Sequence, residues 1–213
     1  MATRPAWAFK DNKVTKCSFD FVWNGGFAVS QKQKNIAALH EKIDKRFHEP
    51  ALEISTKSLS EFGRRMSAFT LTLDGVLLEC VFQSSKVFAN GGPYKDLLNV
   101  SPKEAKRDER LKTSGRLIGF EYEGVRWALE PKSAFYDYLY VKAAFAEFSE
   151  DELNSLDEYI WFTDIEFNPE KSVNSQARSV ALLKAVLHDG ARQALCSPEM
   201  WLSYHRNVAR FSY

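Results

Sequence analysis

The 213-residue chain is poor in cysteine: Cys17, Cys80 and Cys196 are an odd number and show no Cys-x-x-Cys spacing. That excludes a disulfide framework and the common zinc-binding arrangements. No apolar run approaches the roughly 18 residues that a membrane-spanning helix needs. The opening Met-Ala-Thr-Arg-Pro-Ala-Trp has no apolar targeting core, so the chain reads as cytoplasmic and the Asn99-Val100-Ser101 sequon as incidental. Charge of one sign is also lacking, since 29 Lys and Arg against 28 Asp and Glu leave +1. A protein that grips nucleic acid through many phosphate contacts would carry a larger excess, although local basic patches remain open. His40, His48, His188 and His205 are scattered without the carboxylate spacing of a metal cage and read as surface or half-buried side chains. No metal and no cofactor is implied. The patterns GxGxxG, GxxxxGK followed by Ser or Thr, GxSxG and HExxH are absent as well.

Aromatic residues, in contrast, are plentiful: 16 Phe, 8 Tyr and 5 Trp. They fill a core and leave rings to stack on a base. Hydrophobic residues at 45% and charged ones at 27% describe a soluble globular chain, and its length suits a single domain over residues 1–213.

Along the chain, residues 1–29 read as an irregular or short-strand entry in which Phe19–Trp23 alternates. Ser30 can cap a helix whose Ile36, Leu39, Ile43 and Phe47 recur at helical spacing and which ends near Pro50. Ser58-Leu59-Ser60-Glu61 reads as a capping box for a short helix to about Ser67. Phe69, Leu71 and Leu73 alternate into Asp74-Gly75, which tolerates positive φ, so a hairpin is expected over Phe69–Leu78. A helix over Glu79–Phe88 follows and Gly91-Gly92-Pro93 breaks it. Ser101-Pro102-Lys103-Glu104 starts a helix to about Leu111, and Leu117–Trp127 forms a second hairpin across Glu123-Gly124. Helices then open at Pro131 (to about Phe145), at Ser149, over Asn174–His188 and at Ser197. The expected class is α+β: predominantly helical, with one or two small β-hairpins.

Residues 76–88 carry the chemistry. Read as a helix, they place Glu79, Gln83 and Lys86 at i, i+4 and i+7, one above another on one face, opposite a small and apolar stripe of Cys80, Ser84, Val87 and Phe88. An acid, an orienting amide and an amine can meet one ligand there. The same residues would also suit an ordinary surface helix with Glu79 near its positive end.

The run Met66-Ser67-Ala68-Phe69, then Leu73-Asp74-Gly75, then Glu79-Cys80-Val81-Phe82-Gln83-Ser84-Ser85-Lys86 resembles the NADAR (YbiA-like) family pattern. There a Leu-Ser-Asn-Phe element leads to Asp-Gly and to Glu-His-Ala-Phe-Gln-Ala-x-Lys. Gly26–Lys34, Gly91–Tyr94, Glu104-Ala105-Lys106 with Ser114-Gly115-Arg116, and Phe162–Pro169 resemble the branch that serves as antitoxin to DarT-type toxins, which ADP-ribosylate DNA. The resemblance implies a NADAR-like fold and an N-glycosidase that frees ADP-ribose from guanine in DNA, with a cognate toxin as functional partner; the lack of a long apolar run implies no membrane partner.

It also implies a lysine-linked intermediate. The matching lysine is Lys86, with Lys32, Lys34 and Lys106 as rivals, and the matching acid is Glu79. N-glycosidic cleavage leaves positive charge on the ribose C1 and electrons on the departing base, so a carboxylate or proton donor there is useful. Ligand-binding roles are implied for Lys32, Phe69, Gln83, Lys106, Arg116, Asp164, Glu166, Asn168, Asn174 and Arg178. Asn174 is equally suited to be a helix N-cap, and Arg110 competes with Arg116. This chain has Ser172-Val173-Asn174-Ser175-Gln176-Ala177 where the wider family has Gly-Lys-Asn-x-Leu-Gly, and Asp-Ile-Glu in place of Trp-Gly. Residues 101–116 hold six cations against three acids, a mild excess suited to DNA phosphates. The alternative to an enzyme is a module that binds ADP-ribosyl groups or the toxin without turnover.

Overall fold

The computed structural model describes residues 1–209 and is α+β, with helices in the majority. The N-terminal segment corrects the expectation of an irregular entry. Ala2–Lys10 (β1) and Lys13–Phe21 (β2) form a long antiparallel hairpin that pairs Lys10 with Lys13 across Asp11-Asn12. Both turn residues have positive φ, 51° and 57°, which Asp and Asn tolerate. Helix α1 (Val29–Phe47) starts from Ala28 rather than Ser30 and buries Ile36, Leu39 and Ile43. These pack with Ala6, Ala8, Phe19 and Phe21 of the hairpin into a separate apolar cluster.

Ala51–Glu53 (β3) leads to the short helix α2 (Glu61–Arg65), capped by Ser60 and not by Ser58. A Cβ on Gly63 would lie 2.2 Å from the Glu53 carbonyl oxygen, so only glycine lets α2 sit this close to β3. The Asp74-Gly75 hairpin is present between Thr72–Leu73 (β4) and Val76–Leu77 (β5), with φ of 52° and 77° at the turn. Helix α3 (Leu78–Ser84) follows directly, but it ends before the expected Phe88, and Lys86–Phe88 is a strand (β6).

Beyond it, α4 (Pro102–Arg107) has the expected Ser101–Glu104 capping box. The helix expected to reach Leu111 breaks at Asp108, whose carboxylate accepts from the Arg110 N–H at 2.9 Å and opens α5 (Arg110–Thr113). The second expected hairpin is β7 (Leu117–Tyr122) with β8 (Val125–Trp127), and β6 pairs with β7 to complete a three-stranded sheet. Helices α6 (Ala134–Glu147) and α7 (Glu150–Asn154) follow. Next comes β9 (Trp161–Thr163), unforeseen in the sequence, which lies between β1 and β3 in a four-stranded sheet of order β2-β1-β9-β3. Helices α8 (Gln176–His188) and α9 (Pro198–Val208) close the described chain. The two small hairpins expected from the sequence are thus both present, and the long β1–β2 hairpin and β9 are additional.

The main core lies between α6, α8 and the three-stranded sheet, with Phe120 stacked on Phe135 at 4.5 Å. Inside it, Asp137 on α6 is fully buried. It accepts from Arg178 Nη2 at 3.0 and 3.1 Å, from Ser179 Oγ at 2.7 Å and, with His205 Nε2 as donor, at 2.9 Å. One carboxylate thus ties α6 to α8 and α9. Two expectations fall here: Arg178 is a core residue paired with Asp137, and His205 is buried rather than half-exposed. Burial alone would push the Asp137 carboxyl up, but Arg178 and His205 outweigh it and hold the group below the usual carboxylate range.

Removing Asp137 takes the carboxylate from beside a buried guanidinium, so Asp137→Ala should cost about 3–5 kcal/mol in urea unfolding. Because the folded-state pKa is depressed, this stabilisation is complete above about pH 4 and is lost as pH falls through the folded value. A variant within about 0.5 kcal/mol of wild type would contradict this assignment.

Candidate active site

Backbone geometry brings Glu79, Gln83 and Lys86 together even though the helix is shorter than expected. Leu78 donates its N–H to the Leu71 carbonyl at 2.9 Å, which fixes the start of α3 just after the hairpin and sets Glu79 in the first turn. The end of α3 is closed by serines: Ser84 Oγ and Ser85 Oγ donate to the Val81 carbonyl at 3.0 and 2.7 Å. Pairing of Lys86 with Phe120 then turns the chain into β6. Gln83 Nε2 donates to Glu79 Oε1 at 2.8 Å, and Lys86 Nζ donates to Gln83 Oε1 at 2.6 Å. This amide orientation satisfies both neighbours, because the acid can only accept here and the amine donates. Glu79 and Gln83 are about 5% and 4% exposed. Burial lowers the pKa of the Lys86 amine; Glu79 opposes that shift, and Lys106 adds to it.

Lys106 on α4 closes the cluster. Its Nζ lies 3.8 Å from Glu79 Oε1 and 5.4 Å from the centre of the Phe69 ring. Phe69 is 41% exposed, a large ring left open to solvent beside a buried carboxylate. The turn that presents it is pinned to α8, since Ala68 donates its N–H to Gln176 Oε1 at 2.8 Å. Gln176 also hydrogen bonds Asp164, which is buried with no cation in ion-pair contact among the described residues. Burial, and then the nearby Glu53 carboxylate, push the Asp164 carboxyl up to about 8, against the hydrogen bonds from Gln176 and the Glu166 N–H. Glu53 itself accepts from Thr163 Oγ1 at 2.6 Å and from the Ile165 N–H at 2.9 Å. Tyr136 is buried within electrostatic reach of both Glu79 and Asp164. Burial raises its hydroxyl well above the usual range, and Glu79 and Asp164 act in the same direction.

A third group lines the Asp164 side. Lys32 Nζ is 3.3 Å from Glu166 Oε1 and 5.2 Å from the Trp23 ring centre, and the Arg4 guanidinium is 5.0 Å from the same ring. Burial lowers the Arg4 pKa while Asp164, Glu166 and Glu170 pull it back. Glu79, Gln83, Lys86, Lys106 and Phe69 therefore form one cluster. Asp164, Glu166 and Lys32 form a second, joined to the first through Gln176 and Ala68.

The remaining sequence candidates lie elsewhere. Asn168 stiffens its own loop by accepting from the Glu170 N–H at 3.0 Å. Asn174 is not the N-cap of α8, a position held by Ser175, and its carbonyl accepts from Ser172 Oγ at 3.2 Å. Arg116 is exposed at the start of β7, in contact with neither cluster, while its rival Arg110 is bound to Asp96 and Asp108. Arg4, Trp23, Tyr136 and Gln176 were not found from sequence. Only the alternation of Phe19–Trp23 hinted at one of them.

Among the described residues no group of three or more His, Cys, Asp or Glu could hold a metal ion, and no helix is long and apolar enough to cross a membrane. The model of a family described as DarT1-associated NADAR antitoxin matches residues 2–210. No curated protein matches.

The raised Asp164 pKa has a measurable consequence. Between the unfolded value near 4 and about 8 the folded state binds the extra proton, so this group makes stability fall as pH rises across that window. Asp164→Asn should flatten that slope in urea unfolding at pH 5, 6.5 and 8. An unchanged slope would show that Asp164 ionises normally.

Proposed function

Because the chain belongs to the DarT1-associated NADAR antitoxin family, we propose that it is an N-glycosidase that removes ADP-ribose from guanine bases of DNA and so reverses the toxin's product. The observation that carries this reading is the Lys86 amine, held near Glu79 through a neutral amide and biased toward its free form by burial. A protonated ammonium has no lone pair to attack with, so a lysine nucleophile needs such a bias.

In this reading the Lys86 amine attacks the ribose C1, the bond from C1 to the guanine nitrogen breaks, and the base leaves with a proton. The sugar ring then opens to an imine on Lys86. Water adds to that imine, freeing ADP-ribose and restoring the amine. Glu79 serves the reacting centre, either by steadying positive charge at C1 or by moving the proton. Gln83 holds acid and amine apart without adding charge. Phe69 offers a face for stacking, while Lys106 is the cation proposed for the pyrophosphate. Asp164, Glu166 and Lys32 make a second ligand-facing group, with Asp164 suited to donate a hydrogen bond to a sugar hydroxyl.

Two measurements test the chemistry with a guanine-ADP-ribosylated oligonucleotide. Glu79→Gln should slow ADP-ribose release by about 10²–10⁴, and a change of less than about threefold would remove Glu79 from the mechanism. Borohydride added during turnover should trap an adduct of ADP-ribose mass on Lys86. Mapping to Lys32, Lys34 or Lys106 would move the nucleophile. Hydrolysis without any adduct would favour water activated by Glu79, and binding without release would favour a non-catalytic module.

A further inference from the structure

The acids among residues 103–116 are largely spent within the chain, and most of the cations are not. Glu104 is folded back on its own helix start, accepting from the Ser101 N–H at 2.9 Å and from Ser101 Oγ at 2.6 Å. Asp108 is bound to Arg110, which also pairs with Asp96. Lys103, Arg107, Lys112 and Arg116 are exposed and have no ion pair among the described residues, against the single uncommitted acid Glu109. On a chain of net charge +1 this is a concentrated positive strip.

Its placement relates it to the candidate site. Lys103, Lys106 and Arg107 occupy i, i+3 and i+4 of α4 and so share a face. Lys106 is the member that reaches Glu79, which puts Lys103 and Arg107 on the helix face nearest the candidate acid. At the far end, the Arg116 carbonyl accepts from the Ala89 N–H at 2.9 Å, three residues beyond Lys86. The strip therefore runs from the helix that reaches Glu79 toward the strand that carries the amine.

We propose that this ridge on α4 and α5, through Lys103, Arg107 and Lys112, binds the phosphates of the DNA strand flanking the modified guanine. The inference rests on the N-glycosidase reading. Lys106 lies at the reacting end, which leaves the flanking phosphates to its neighbours.

The test is the triple variant Lys103→Glu, Arg107→Glu, Lys112→Glu, compared with wild type on an ADP-ribosylated single-stranded oligonucleotide and on ADP-ribosylated guanosine. The oligonucleotide KM should rise about tenfold or more at about 50 mM salt, and its dependence on log salt should weaken by about two units, near 0.7 for each of three contacts. Its kcat, the guanosine kinetics and the melting temperature should hold. An unchanged oligonucleotide KM and salt slope would overturn the proposal, as would an equal loss on the nucleoside. If neither substrate is cleaved by wild type, the glycosidase reading fails by itself. Fluorescence anisotropy with unmodified oligonucleotide then still decides whether the ridge binds DNA. Loss of binding to purified toxin with oligonucleotide binding intact would overturn the proposal in favour of a protein partner. Should the charge reversals prevent folding, Lys103→Gln with Arg107→Gln carries the same comparison.

Discussion

A neutral amide placed between a buried acid and a half-buried amine is the constraint on which the site depends. Had Lys86 paired directly with Glu79, their attraction would have held the ammonium form. Gln83 donates one hydrogen bond to Glu79 and accepts one from Lys86, so the amine is positioned near the carboxylate without contact with it. Burial then sets the direction of the Lys86 shift against the pull of Glu79. The surrounding backbone serves this arrangement. The Asp74-Gly75 turn delivers Glu79 to the first turn of α3, the two serines close the helix at Val81, and β6 brings Lys86 back within reach of Gln83.

Two other buried carboxylates show how differently the fold treats an acid. Asp137 is surrounded by a guanidinium, an imidazole and a hydroxyl, and its pKa is lowered; it holds three helices together. Asp164 has neutral donors and the carboxylate of Glu53 for company, and its pKa rises to about 8. Such an acid costs stability where it ionises, which is a common mark of a working group and a poor way to build a scaffold. The contrast separates Arg178, which belongs with the scaffold, from Lys32 and Glu166, which border Asp164.

What the sequence disclosed was local. Asp74-Gly75 and Glu123-Gly124 announced their hairpins because those residue pairs accept positive φ, and the Ser101 and Ser149 capping boxes were readable for the same kind of reason. The longest hairpin went unread. Asp11-Asn12 lacks the glycine that usually marks such a turn, and β1 is buried on successive residues from Pro5 to Ala8, which hides the alternation of a strand. Strand β9 has three residues and is defined by its neighbours on both sides. The acid, amide and amine were legible as a trio, yet their true link combines a helical turn with a strand register. Arg178 carried no sign that Asp137, 41 positions away, would claim it. Arg4 and Trp23 likewise meet Asp164 and Lys32 only through tertiary packing.

The most direct measurement of the central claim is the titration of the Lys86 amine in the ligand-free protein. Reductive ¹³C-methylation followed by NMR across the alkaline range reports it, with Lys86→Arg identifying the signal. Lys86 should titrate below the ordinary lysine value near 10.4, and Gln83→Glu, which adds a charge beside it, should move the midpoint upward. A wild-type Lys86 that titrates at or above that ordinary value would contradict the claim that the fold holds this amine ready to react.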